Sequence, residues 1–502
     1  MNILFITADQ WRGECLSALG HAELKTPNLD RLASDGVLFA RHYAQTTPCG
    51  PSRASLYTGM YLHNHGVYLN GIPLITAPTN LALEARRAGY RPVLFGYTDI
   101  TEDPASPAPE NRAHPYAEQV LPGMTPVAPA GNDWRLWFER LKSRGYAIPE
   151  DPREMFRPRP DYPGAAGRGR TWPPARFRAE DSSTAFLVDE TIEYLAAGHD
   201  APWFVHLSFL SPHPPFIVPE PYHALYDADA MTLPVRCPTP EQEASQHPWL
   251  QHYLYDQRGV GFTVGAVSRD NLSLPDHELR QIRATYFGMI SEVDAQIGRL
   301  IDYLKETGAY DDTLIIFTSD HGEYLGDHWM FAKYSYHEQT FHVPLIIRDP
   351  GAEARPADGT VVDAFTESID LMPTILERIG LPAPAQCDGF SLGGFCRGRQ
   401  PEGWRQEYFA EFDLRSPWEG KKGAPLGLRD DQCRAVIVGG RRYKYVHFDG
   451  LPCLFFDLQA DPGEFHNLID DPAHQDQVAE YAAKARAWRA PRTARSAPQT
   501  TP

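Results

Sequence analysis

Thr313-Leu314-Ile315-Ile316-Phe317-Thr318 is the segment that most limits what this chain can become. An unbroken apolar row rich in β-branched residues reads as a strand buried on both faces, as in the middle of a parallel sheet. Parallel neighbours need crossover connections, so helices must alternate with such strands. They do. Further strand signals lie at 3–7, 37–39, 92–95, 203–209 and 344–348. Helical stretches fall between them at 27–36, 81–87, 183–197, 278–306 and 369–379. The first has Thr26 as N-cap and Pro27 at its first position, and it stops near Gly36. The alternation predicts an α/β fold with a mainly parallel sheet and helices on both faces.

Two stretches break the rhythm, 101–180 and 214–275. The first is rich in Pro, Gly and Arg and reads as an excursion over the face where the strands end. After about residue 385 the pattern changes. Segments 434–438, 441–448 and 454–457 read as antiparallel strands with a turn at Gly439-Gly440, and a helix follows at 477–489. With 502 residues, one small core is too little. The expected division is a catalytic α/β domain at 1–385, a smaller α+β unit at 386–490 and a flexible tail at 491–502.

A net charge of −18 opposes nucleic acid and acidic membrane as partners. An anionic substrate must therefore be drawn by a local positive site. No segment keeps enough apolar residues to span a bilayer. The N-terminus enters a strand at once, without a basic region or a small-residue cleavage site, which predicts a cytoplasmic protein. The seven cysteines are odd in number and lack Cys-x-x-Cys spacing, so reduced thiols are expected and a zinc knuckle is not.

In open α/β sheets ligands sit beyond the carboxyl ends of the strands. Five segments bring polar groups there: Asp9, Cys49, Tyr97, His213 and the pair Asp320-His321. Two carboxylates and an imidazole suit Mn²⁺ or a similar transition ion better than Ca²⁺, which prefers an all-oxygen cage. Around Cys49 the chain reads Thr46-Thr47-Pro48-Cys49-Gly50-Pro51-Ser52-Arg53, and a helix is expected to begin after it, near residues 52–54. Arginine and a helix N-terminus both favour anions. A cysteine held there is a low-pKa thiolate or something made from one.

These pieces resemble the type I sulfatases of the alkaline phosphatase superfamily, in which that Cys is oxidised to formylglycine. Asp9-Gln10-Trp11-Arg12, Gly96-Tyr97-Thr98, Pro212-His213-Pro214-Pro215-Phe216, Ser319-Asp320-His321-Gly322-Glu323 and Leu325-Gly326-Asp327-His328 carry the resemblance with the Cys49 stretch. Nearly the whole chain is most similar to the bacterial phosphonate monoester hydrolases and their arylsulfatase relatives. The resemblance implies that Asp9, Asp320, His321 and a formylglycine at Cys49 hold one divalent metal, Mn²⁺ in preference to Ca²⁺ or Zn²⁺. It implies that Arg53, Asn70, Tyr97, His213 and Lys333 surround the transferred group. The hydrated aldehyde would attack sulfur or phosphorus, with His213 or Lys333 protonating the leaving oxygen. It also implies a small monoanionic ester as substrate, a formylglycine-generating enzyme as partner, and a dimer or tetramer.

Two positions depart from the family. Gln10 stands where common arylsulfatases have a second acid, and Asp99 stands where the phosphonate hydrolases have a hydroxyl residue. A carboxylate beside an anionic substrate is unfavourable unless protonated or turned away, so Asp99 is either a pocket residue or a cap of Ile100-Thr101. Taken singly, His213 between prolines, Lys333 and Asn70 also suit turns and surfaces, and His63, His65 and His328 read as structural. Two rival readings are a two-metal phosphatase with an unmodified nucleophile and a non-catalytic anion binder.

Overall fold

The computed structural model describes residues 1–101, 120–131, 133–256, 268–351, 353–415 and 424–489. The expected tail and parts of both irregular stretches lie outside them. The large sheet contains β1 (Asn2–Ala8), β2 (Val37–Tyr43), β3 (Pro92–Gly96), β4 (Thr125–Pro129), β5 (Phe204–Phe209), β6 (Thr313–Thr318), β7 (His342–Val343), β8 (Leu345–Arg348) and β9 (Thr360–Glu367). Its order is β4-β3-β5-β1-β6-β8-β2-β7, with β9 also paired to β2. The run from β4 to β6 is parallel throughout, and β8 lies antiparallel between β6 and β2. β2 therefore points the same way as β6.

Successive residues of the central strands feed opposite faces. Leu4, Ile6, Ile315 and Phe317 enter one core, while Ile3, Phe5, Leu314 and Ile316 enter the other. This is why the segment at 313–318 is apolar without alternation. The first core is covered by the helices Asp276–Glu306, Pro27–Ser34 and Ser183–Ala196. The second is covered by Cys49–Thr58, Leu81–Arg87 and Leu371–Arg378.

A second sheet, β10 (Tyr408–Asp413), β11 (Arg434–Gly439), β12 (Tyr443–Phe448) and β13 (Leu454–Asp457), is antiparallel in sequential order. It does not stand apart. Tyr408 stacks on Tyr43 at 3.7 Å, and the Glu411 N–H donates to the Gln45 carbonyl at 2.8 Å. The last helix, Gln475–Trp488, sets the Trp488 ring 4.7 Å from Tyr61.

The structure corrects several expectations. The described part of the first irregular stretch supplies the edge strand β4 and the helix Arg135–Ser143, whose Trp137 and Leu141 sit in the core. β2 runs four residues beyond the expected 39, and β9 and β10 had no sequence signal assigned to them. Thr26 stands at the head of its helix without capping it. Its hydroxyl accepts from the Ser17 N–H at 3.0 Å instead.

Candidate active site

The site forms where β1, β2, β3, β5 and β6 end. Asp9 follows β1 and is fully buried. Gln10 turns the chain at φ +67°, which lets its N–H donate to Asp320 Oδ1 at 3.1 Å. The Trp11 N–H donates to Ser319 Oγ at 2.9 Å, so the ends of β1 and β6 are tied side by side. Gly96 ends β3 at φ +107°. A Cβ there would stand 1.9 Å from the Ser208 carbonyl oxygen, so only glycine lets β3 meet β5 at this level. Tyr97 follows, donating its hydroxyl to Asp9 and placing its ring 4.4 Å from the Arg53 guanidinium carbon.

Cys49 is the first residue of its helix, earlier than the sequence suggested. Pro51 and the residues around it read as breakers, but proline fits a first helical turn, where its missing N–H goes unused. Asn70 Oδ1 accepts from the Gly50 N–H at 2.9 Å. Arg53 lies one turn on, fully buried. It donates to Asp320 Oδ2 at 2.9 Å, Asp9 Oδ2 at 3.2 Å, Ser208 Oγ at 2.9 Å and the Tyr97 carbonyl at 3.2 Å. Those bonds direct Arg53 at the two carboxylates, whereas the resemblance implied a place around the transferred group.

Lys333 reaches the cluster from the loop after β6. Its Nζ stands 3.2 Å from Cys49 Sγ and 2.6 Å from Gln10 Oε1. Gln10 passes the interaction on, donating its Nε2–H to Glu323. Glu323 also accepts from the N–H groups of Leu325 at 2.9 Å and Ala332 at 2.7 Å, closing the loop that presents Lys333. Sequence reading missed this bridge. Its one signal was a carboxylate two residues beyond Asp320-His321, and Ser208 gave none.

Burial and charge set the protonation states. Burial and the Asp320 charge raise the Asp9 carboxyl. Burial works against an ionised Asp320 too, but His321, Arg53 and Lys333 outweigh it and hold that carboxyl well below the usual range. Burial and Asp9 push the Cys49 thiol up against the pull of Lys333. Of the two readings of Cys49, this disfavours the low-pKa thiolate and leaves something made from the thiol, because a helix N-terminus and one ammonium do not offset loss of water beside two carboxylates. Lys333 is held protonated, since Cys49, Asp9 and Asp320 outweigh its own burial. Burial and Lys333 push partly exposed His213 down to about 3. Its Nδ1 lies 2.6 Å from the Pro214 carbonyl and must carry the proton, leaving Nε2 as an acceptor.

Asp9, Cys49, Asp320 and His321 each offer one ligand atom within 4.8 Å of the other three. No second group of this kind occurs among the described residues. The donor set fits a divalent ion. His321 Nδ1 lies 3.0 Å from the Gly322 carbonyl and carries the proton, so the Nε2 lone pair turns inward, 3.2 Å from Cys49 Sγ. Burial pushes that imidazole down to about 4, which keeps it a neutral ligand. Asp99 lies at the margin of the cluster, partly exposed and at φ +52°. It does not accept from the N–H of Ile100 or Thr101, so the cap reading fails. His63, His65 and His328 bond instead to Glu411, Ser55 and Glu243.

A family model described as sulfatase matches residues 1–381, and one described as N-sulphoglucosamine sulphohydrolase, C-terminal, matches 326–490. The multifunctional alkaline phosphatase superfamily protein PehA of Trinickia caryophylli is 41% identical, covering 97% of this chain and 95% of its own. An arylsulfatase of Clostridium perfringens is 27% identical over 95% of this chain and 92% of its own. The crystal structure of the phosphonate monoester hydrolase of Agrobacterium radiobacter superposes with a TM-score of 0.90 at 44% identity, covering 97% and 95% of the two chains.

Proposed function

Because the chain belongs to the sulfatase family of the alkaline phosphatase superfamily, we propose that it is a metal- and formylglycine-dependent hydrolase of monoanionic esters. Its substrates are aryl sulfates, phosphonate monoesters and phosphodiesters, which all carry one negative charge on the group attacked. The observation that carries this reading is the meeting of Cys49 with Asp9, Asp320 and His321 on one side and Lys333 on the other. The arylsulfatase and phosphonate monoester hydrolase relatives support the same chemistry.

A divalent ion held by Asp9, Asp320, His321 and residue 49 would supply positive charge where negative charge builds up. The formylglycine would supply an oxygen nucleophile whose ester can be released without a second attack by water. The rest falls to side chains present in the chain. Arg53 orients Asp9 and Asp320 and keeps their charges tolerable in a buried site. Asn70 fixes the first helical turn, whose free N–H groups favour an anion beside it. Lys333 holds a proton beside residue 49 for the departing oxygen. His213 enters neutral, with Nε2 as an acceptor at the edge of the site. Lys333 and Arg53 with a divalent ion leave the site net positive by about one charge after Asp9, Asp320 and Asp99 are counted. That balance favours monoanions over dianions.

The reading carries the finer assignments with it: Mn²⁺ as the metal, a formylglycine-generating enzyme as maturation partner, a homo-oligomer, a cytoplasmic location and a catalytic unit ending near residue 385. The decisive experiment compares kcat/KM of the matured enzyme for para-nitrophenyl sulfate, a phenylphosphonate para-nitrophenyl ester, a bis(para-nitrophenyl) phosphate and dianionic para-nitrophenyl phosphate. Turnover of the monoanions well above the dianion is expected. Preference for the dianion would sink the reading.

A further inference from the structure

The acids of this site are answered, with one exception among the described residues. Arg53 answers Asp9 and Asp320. Gln10 and two backbone N–H groups answer Glu323. Asp99 has no hydrogen bond and no ion pair. Yet its backbone is fixed in place. Its carbonyl oxygen lies 3.1 Å from where a Gly50 Cβ would stand, so the residue backs directly on the first turn of the Cys49 helix. At φ +52° it occupies a region that a side-chain-bearing residue enters at some cost.

Its charge is felt throughout the cluster. Burial, together with Asp9 and Asp320, raises its carboxyl to about 7 against the pull of Arg53 and Lys333, and its charged form helps to raise the Cys49 thiol. A carboxylate in this position works against every plain anion the cluster binds. Among the described residues it neither caps a turn nor pairs with a cation. The described structure thus gives no local reason for it, and leaves a ligand's cation to supply the opposing charge. A substrate that carries its own cation turns the same repulsion into an attraction, while its anionic group still meets Lys333.

We propose that Asp99 is a specificity residue for zwitterionic esters, whose attacked group is monoanionic and whose carbon skeleton bears an ammonium or quaternary nitrogen seated against the Asp99 carboxylate. This rests on the ester-hydrolase reading above and narrows its substrate class. The cation must lie a few bonds from the attacked centre, because Asp99 and Cys49 belong to adjoining turns. A neutral group of equal shape leaves the carboxylate unanswered, so discrimination comes from charge and not from fit.

The test uses two phosphodiesters with one para-nitrophenyl leaving group, so that the bond broken is the same. The second arm is trimethylammonioethyl in one and its carbon isostere neohexyl in the other. Matured, metal-loaded wild-type enzyme should prefer the cationic diester by roughly 10- to 100-fold in kcat/KM, the range that one ion pair in a partly solvated cleft supplies. In Asp99→Asn, which keeps the size and one acceptor oxygen but removes the charge, the ratio of the two diesters should fall close to one. A wild-type ratio near one overturns the inference, as does a ratio that survives in Asp99→Asn. Para-nitrophenyl sulfate is the control. If the enzyme hydrolyses neither it nor either diester, the ester-hydrolase reading fails and takes this inference with it.

Discussion

Lys333 Nζ and Cys49 Sγ stand 3.2 Å apart, although 284 residues separate them in the chain. The amine is held charged and donates toward residue 49, so once the thiol is replaced Lys333 holds a proton beside the reacting position. Lys333→Ala should therefore lose most on esters with poor, high-pKa leaving groups, by about 10²- to 10⁴-fold, and least on nitrophenyl esters. His213→Ala should show a shallower dependence, since that imidazole begins neutral. Rate losses equal across a leaving-group series would remove both from proton transfer and leave them binding roles.

Position 49 should be found as formylglycine in protein produced together with the maturation enzyme. Peptide mass spectrometry reads this directly, and full activity with an intact thiol would contradict it. Cys49→Ala should abolish turnover while the melting temperature moves by only a few degrees, because one buried thiol is exchanged for a methyl group.

Elemental analysis should find one divalent metal per chain, with Mn²⁺ the best supported. Asp320→Asn should lose both metal and activity. Chelation should lower the melting temperature of the wild-type protein, since the ion relieves the repulsion between Asp9 and Asp320. Two metals per chain would transfer the protein to the two-metal phosphatase reading.

Glu292 tests the fold by its pH dependence. It is buried in the helix Asp276–Glu306 with Oε1 unpaired, and burial pushes its carboxyl from 4.5 up to about 7. The native state thus keeps a proton that the unfolded chain gives up sooner. Stability from this group is fully present below about 4.5 and is lost as pH rises through about 7. Glu292→Gln should stabilise the protein at pH about 8, by on the order of 1–3 kcal/mol, and have little effect at pH about 5. Calorimetry at both pH values checks this, and equal effects at both would refute it.

The parts legible in the sequence are those dictated by near neighbours along the chain. β1 and β6 announce themselves because both faces are buried, and the residues just past them stand at the sheet edge whatever else the fold does. β9 stayed hidden because its first half faces solvent. β10 did so because Glu411 and Asp413 interrupt its apolar pattern. The Gln10–Glu323 bridge, the neutral thiol and the partnerless Asp99 all depend on contacts between residues far apart in sequence. The charges that decide them come from several strands at once. Residue types alone left a thiolate or something made from one, and burial weighs against the thiolate.

Cys49 ends up buried, and much of what surrounds it comes from Asp320, His321 and Lys333. A maturation enzyme that must take the 46–53 stretch into its own active site cannot reach it in the finished molecule. The stretch stays open only while the later strands have yet to be made. At about 5–20 residues per second, the interval between synthesis of residue 49 and of Lys333 lasts roughly a quarter of a minute to a minute. If residue 49 is matured to formylglycine, the active fraction of a preparation should be set by a race between ribosome and modifying enzyme. Once the chain has folded, adding more of that enzyme should recover nothing.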